Sequence, residues 1–356
     1  ITSITPVYIP IEHVQAIFSF FCGVNSTEVR FSLDRSFAIP NLGILIARTK
    51  IEWTDASWNP VTGCSAVSPG CANCYAARLA ATRLRDVPAY RGLALLSSGG
   101  TPQWTGDVRL HEDRLKEPLG WRKPRKVFVC DMSDLFHESV PLEFIDKVFA
   151  VMAICSQHIF QVLTKRPQRM LGYFGRDFQM NITRVLGQLI CDAYERKYSK
   201  EITMTCERGA LVTSWPLPNI WLGTSCENQV TADERIPHVL RCPAALRFLS
   251  CEPLLAPIRL LRDVGPHPIG QNTVIHDRIN WVIVGGESGP RARPCEITWI
   301  RSIVEQCRTA QVPCFVKQLG SRWTKAAWVP WISRFGYRMN RNSKGGDPSE
   351  WPDDLR

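Results

Sequence analysis

The sequence predicts an α/β fold in which about six to seven βα units form a partial or complete parallel (β/α) barrel, with one insertion and an irregular tail. Three observations predict it. Short apolar runs recur from residue 51 onward, helical patterns separate several of them, and polar side chains gather at the C-terminal end of each run. Continuous rather than alternating apolar strands mark a parallel sheet covered on both faces.

Residues 1–47 mix short apolar pieces with no sustained period and read as an N-terminal extension peripheral to the function. The barrel domain is expected over 48–320, its first strand in "IEWTDASWNPV" (51–61). The further strands are "KVFVCDMSD" (126–134), "IFQVLTKR" (159–166), "IWLGTSCEN" (220–228), "LRFLSCEP" (246–253), "INWVIVGGESG" (279–289) and "PCFVKQLG" (313–320). Leu142, Ile145, Val148, Phe149 and Met152 recur at the spacing of a helix with one buried face, as do Ile300, Ile303, Val304 and Cys307. Residues 171–218 break the rhythm. This insertion is longer than a crossover needs, holds a helix expected over "RVLGQLICDAYERKY" (184–198), and reads as a lid or an elaboration. The tail, 321–356, is expected to pack on the barrel through Trp328, Trp331 and Trp351, with "KGGD" as a turn.

With 45% hydrophobic and 21% charged residues, the chain has the composition of a globular protein rather than a disordered one. Its longest apolar run, "VQAIFSFFCGV" (14–24), is too short to span a bilayer and lacks a signal-cleavage pattern, so a cytoplasmic protein without a membrane is expected. A net charge of +10 favours an anionic partner, of which nucleic acid or a nucleotide is the commonest kind. The densest basic run, "WRKPRK" (121–126), is short enough to be either a phosphate contact or a solvated loop. Fourteen cysteines are dilute in 356 residues, and most sit singly in apolar runs, where cysteine acts as a small hydrophobe.

The strand ends carry the first functional signal. Asp131, Ser133 and Asp134 end one run, and Thr164, Lys165 and Arg166 the next. Thr224, Ser225, Glu227 and Asn228, then Ser250 and Glu252, Glu287 and Ser288, and Lys317 and Gln318 end the others. Any one of these is explained by a loop start or a helix cap. Recurrence in six strands points instead to a shared site, because the C-terminal edge of a parallel sheet is where ligands bind.

Cys64, Cys71 and Cys74 carry the second signal. They follow a C-x6-C-x2-C pattern in a loop with Gly63, Pro69 and Gly70, just before a helix expected over Tyr75–Leu84. Three readings stay open. A structural zinc site needs a fourth ligand, such as His111 or His137, brought in by the fold. A redox C-x-x-C leaves Cys64 without a role. A 4Fe-4S cluster held by three thiolates leaves one iron open to substrate or cofactor, which suits a loop at the mouth of the sheet.

This order of strand, three-cysteine loop, helix and partial barrel resembles the radical S-adenosylmethionine superfamily. From about Lys50 to Arg356 the chain resembles more specifically the phage gp-thirty-seven/gp-sixty-eight proteins, a domain family of unknown function. The segments are "KIEWTDASWNPVTGC", "GCANCYA", "MSDLFH", "LTKRP", "WLGTSCEN", "SCEPLL", "WVIVGGESGPRARP", "FVKQLG" and "KGGDPSEWPDDLR".

The superfamily resemblance implies Cys64, Cys71 and Cys74 as metal ligands, S-adenosylmethionine as cofactor, and an electron donor such as flavodoxin or ferredoxin. Asp131, Ser133, Glu227, Glu252, Gly285, Gly286 and Glu287 are the candidate cofactor-binding residues. Lys165, Arg166 and Lys317 are candidates for an anionic substrate or the cofactor carboxylate. The usual loop is C-x3-C-x2-C with an aromatic residue before the last cysteine, where this chain has Asn73. The usual Gly-Gly-Glu ends the second strand, whereas here Gly285, Gly286 and Glu287 end a much later one. The competing reading is a zinc-stabilised nucleic-acid-binding protein that uses "WRKPRK" and exposed tryptophans.

Overall fold

The computed structural model describes residues 49, 51–198, 215–260, 279–322 and 344–355. Seven parallel strands make one sheet: β1 (Ala56–Trp58), β2 (Lys126–Val129), β3 (Ile159–Thr164), β4 (Ile220–Ser225), β5 (Leu246–Cys251), β6 (Trp281–Gly285) and β7 (Cys314–Gln318). Each strand pairs with the next in sequence, so every apolar run read from the sequence holds one strand, in the expected order.

The two faces of the sheet differ in kind. Val127, Val129, Phe160, Val162, Val282 and Val284 are fully buried in the main core, which the helices share. Those helices are α2 (Leu142–Ile154), α3 (Pro167–Phe174), α4 (Phe178–Tyr198), α5 (Gln229–Arg241) and α6 (Ile297–Thr309), whereas the first helix, α1 (Tyr75–Ala81), packs in a separate small cluster. Ile145, Val148, Phe149 and Met152 of α2 are fully buried, as are Ile300, Ile303 and Cys307 of α6, as the helical spacing predicts.

The other face is concave. Phe128 on β2 and Trp281 on β6 would lie roughly 19 Å apart on a flat sheet, at about 4.8 Å per strand. Both rings instead pack on Trp53, with centroids 4.8 and 6.0 Å away. The sheet therefore curls into a half-barrel around Trp53, with Phe248 and Ile283 completing the inner cluster. Gly223 on β4 makes room for this: a Cβ there would stand 2.6 Å from ring carbons of Phe248. Gly223→Ala should cost about 1–3 kcal/mol by overpacking. A lowered urea midpoint checks this, and an unchanged one would mean that the ring yields freely.

The helix of the insertion begins earlier than expected. Helix α4 starts at Phe178 rather than Arg184, because Phe178 and Ile182 bury against the core although the polar residues around them hide the period. It packs against α2, so the described part of the insertion thickens the helical layer instead of roofing the mouth. Of the tail, Trp351 is buried and donates from Nε1 to the Gly345 carbonyl at 2.8 Å, while Leu319 N donates to the same oxygen. "KGGD" thus turns against the end of β7. Trp328 and Trp331, and residues 1–47, lie outside the described residues.

Between β1 and β2 the chain builds a small cap that the sequence reading did not anticipate. A hairpin pairs Ala94–Leu96 with Pro102–Trp104, and Val61–Thr62 pairs with Arg109–Leu110. Ala76, Ala80, Tyr90, Ala94 and Met132 form the cap's own core. Strands of two or three residues are too short to show a period. Among the described residues no helix is long and apolar enough to cross a membrane.

Candidate metal and cofactor centre

The three-cysteine loop lies between Thr62 and α1. Gly63 adopts φ +89, and a Cβ there would overlap the Asp107 carbonyl, so only glycine admits the turn into Cys64. Pro69–Cys71 make one 3-10 turn, and Cys74 is the residue before α1. Of the eleven cysteines whose side chains are described, Cys64, Cys71, Cys74 and Cys314 alone are not buried, and Cys314 opens β7 at the opposite edge of the sheet. The accessible thiols at the mouth are therefore the three in the loop.

Side chains from three strand ends clamp this loop. After β3, Arg166 directs Nε at both Glu138 oxygens at 3.0 Å and Nη1 at Asp134 Oδ2 at 3.1 Å and Cys64 Sγ at 3.7 Å. Its Nη2 donates to Ser65 O and Oγ at 3.2 and 2.7 Å. After β4, Glu227 is fully buried, pairs with Arg235 at 3.1 Å and accepts from Ser68 Oγ at 3.0 Å. Any Cβ on Gly70 would overlap this carboxylate, so the loop presses directly on it. After β6, Glu287 accepts from Asn73 Nδ2 at 2.9 Å and from Arg293 Nη2 at 2.6 Å, while Arg293 Nη1 donates to Pro69 O at 2.8 Å. Tyr75 adds a fourth tie, donating its hydroxyl to the Asp131 carbonyl at 2.8 Å.

Several predicted ligand-binding residues therefore have another task. Glu227 and Glu287, expected to bind the cofactor, hold the loop in this structure. Arg166, read as substrate-binding, has no N–H left for an anion, since all five meet protein acceptors. Ser133 donates its hydroxyl to Val61 O at 2.8 Å. Gly285 and Gly286 are packing glycines in this structure: Gly286 lies so close to Leu319 O that a Cβ would overlap it. Their backbone groups are also paired, Leu254 N with Gly285 O and Gly286 N with Gln318 O, each at 2.9 Å.

Other predicted residues remain at the mouth with partial exposure. Lys317 Nζ meets both Glu252 oxygens at 2.9 Å, with side chains 19% and 16% exposed. Lys165 Nζ reaches Ser225 Oγ at 3.3 Å and Glu227 at 3.6 Å. Asp131 accepts from Asn59 Nδ2. "WRKPRK" runs into the start of β2 and so lies at the N-terminal edge of the sheet, away from the mouth.

Sequence reasoning missed Ser68, Asn73, Arg235 and Arg293. Asn73 carried a signal: it stands where the superfamily pattern has an aromatic residue, and its amide bridges Glu287 and the Arg291 carbonyl.

The charges follow from these contacts. Burial lowers the Lys165 ammonium, but Glu227, with Cys71 and Cys74, outweighs it and holds the group above the ordinary lysine value. Burial and then Asp134 push the Cys64 thiol up to about 12, against the pull of Arg166. Burial would raise Glu287, but hydrogen bonds from Arg293 and Asn73 overcome it and lower the carboxyl. Burial raises Asp131, with the hydrogen bond from Asn59 opposing.

Among the described residues no three His, Cys, Asp or Glu side chains converge closely enough to hold a single metal ion. Cysteines on a cubane bind irons at separate corners and stand further apart than the ligands of one ion. The two histidines that could complete a zinc site are engaged with hydroxyls: His111 Nε2 meets Thr62 Oγ1 and His137 Nε2 meets Ser65 Oγ, each at 2.9 Å.

His111 also sets a pH dependence. Burial, and Arg114 beside it, lower its imidazole from 6.5 to about 4. Between those values the unfolded chain takes up a proton that the folded chain refuses, so this contribution to stability is complete above pH 6.5 and disappears as pH falls to about 4. Melting temperature should therefore fall more steeply over that window in the wild type than in His111→Gln; equal slopes would contradict it.

Two solved structures of spore photoproduct lyase are similar to the chain, one complexed with dinucleoside spore photoproduct and one a tyrosine-to-phenylalanine mutant. Both show 8% identity and a TM-score of 0.32, covering 73% and 75% of this chain and 63% and 64% of theirs. The chain thus spans less than two thirds of each lyase, and so distant a likeness bears on neither fold nor reaction. No curated protein matches the chain. A family match covers residues 48–347, which carry the half-barrel, the cysteine loop and its clamps, and the chain belongs to that family, the proteins of unknown function termed DUF5131.

Proposed function

We propose that the chain is a radical S-adenosylmethionine-type enzyme in which Cys64, Cys71 and Cys74 hold a 4Fe-4S cluster. One observation carries the reading: three partly exposed thiols, on a single loop, pinned to the C-terminal edge of a parallel half-barrel by groups from β3, β4 and β6. Three protein ligands leave one iron for the amino and carboxylate groups of S-adenosylmethionine. When bound and reduced, the cluster and S-adenosylmethionine would supply radical chemistry for hydrogen abstraction from a substrate.

The chain's own residues bind and orient. Glu252 and Lys317 set opposite charges side by side at the mouth, suited to an ammonium and a carboxylate. Asp131 offers a carboxylate to a ribose. Lys165, between β3 and β4, places a cation for an anionic substrate. The net charge of +10 favours a nucleic acid or nucleotide as that substrate, with a flavodoxin or ferredoxin as electron donor. Cofactor cleavage tests the reading. Anaerobically reconstituted protein, reduced with dithionite and given S-adenosylmethionine, should form 5′-deoxyadenosine and methionine; iron-loaded protein that forms neither contradicts it.

A further inference from the structure

We infer that Arg166 is a positioning residue that holds Cys64 in its ligating place and, through the N–H aimed at the Cys64 sulfur, raises the reduction potential of the bound cluster. The inference rests on the iron–sulfur reading above. A guanidinium presents five N–H groups in a rigid planar fork. Arg166 is 7% exposed, and the carboxylates of Asp134 and Glu138 fix the plane of its fork. The remaining donors reach Ser65 O, Ser65 Oγ and Cys64 Sγ, so one side chain from β3 sets both the path of the loop and the surroundings of its first sulfur.

Cys64 is the ligand that needs such support. Cys71 and Cys74 share one turn leading into α1, whereas Cys64 stands a longer stretch away and enters from the strand side. Its neighbour Ser65 is gripped twice, by Arg166 Nη2 at 2.7 Å and by His137 Nε2 at 2.9 Å.

An electron added to a cluster places negative charge on its sulfurs. A positively charged N–H at 3.7 Å stabilises that charge, which favours the reduced state and raises the potential.

Reconstituted wild type, Arg166→Gln and Glu138→Gln are to be compared by EPR-monitored redox titration. Arg166→Gln should move the midpoint downward, by about 59 mV for a tenfold fall in the reduced-to-oxidised ratio at fixed poise. Glu138→Gln removes a negative charge 3.0 Å from the guanidinium at a carboxylate 64% exposed, so it should fold and move the midpoint upward. A purely mechanical clamp would change cluster yield without this reversal of sign. An Arg166→Gln midpoint equal to wild type overturns the inference. Should that variant not fold, an unchanged or lowered midpoint in Glu138→Gln overturns it instead. Wild-type protein that assembles no cluster removes the iron–sulfur reading and this inference together, whereas a normal cluster with an insensitive midpoint removes only the inference.

Discussion

Replacing any one of Cys64, Cys71 or Cys74 with alanine should yield a folded protein that assembles no iron–sulfur cluster and cleaves no S-adenosylmethionine. The fold survives because neither the main core nor the inner cluster around Trp53 contains any of these three side chains, all of which are partly exposed in the loop, and Cys74 alone borders the small cap core. The loop itself stays docked through Ser65, Ser68, Asn73 and Tyr75, whose bonds do not pass through sulfur. Melting temperature and iron content are measured together. Loss of iron with a wild-type melting curve of the metal-free protein supports the account. A variant whose metal-free form unfolds earlier than metal-free wild type would show the cysteines to be structural, as they would be in a folding-coupled zinc site.

Glu227→Gln should cost about 3–5 kcal/mol, the usual penalty for leaving one partner of a buried ion pair uncompensated. Glu227 is 0% and Arg235 2% exposed, so no solvent replaces the lost charge. The substitution also weakens the seat of Ser68 and the turn pressed against the carboxylate. The urea midpoint should fall with the denaturant slope unchanged. Adding Arg235→Met to Glu227→Gln should recover much of the loss, because it removes the orphaned cation. Equal stability of the single and double variants would contradict the ion-pair explanation.

These effects meet at the boundary between what the sequence reveals and what it conceals. The strands were legible because a parallel sheet buried on both faces needs continuous apolar runs, and such runs as "VFVC" and "WVIVG" have no other use. The polar residues closing each run were also legible as a common edge. Their purpose was not. Ser68 meets Glu227 across 159 residues and Asn73 meets Glu287 across 214, and no local pattern encodes such pairings. A carboxylate that binds a ligand and one that braces a loop look alike in sequence. The difference lies in the partner: Glu227 accepts from the Ser68 hydroxyl and Glu287 from the Asn73 amide, both on the cysteine loop, while Glu252 faces Lys317 at the mouth. Arg166 shows the same limit, since a basic residue after a strand suggests an anion until the six acceptor atoms around its guanidinium are seen. The cap escaped notice because its strands are short, although "SSGG" at its hairpin turn was a local clue; Arg291 reaches that turn, bonding Gly99 O and Thr101 Oγ1.

The proposed cluster is held by the three-cysteine loop with one iron left open. Iron, sulfide and zinc analysis of the anaerobically purified full chain tests it most directly. About four irons and four sulfides per chain are expected, with an absorption band that bleaches on reduction. One zinc per chain, with no iron and no sulfide, would contradict it.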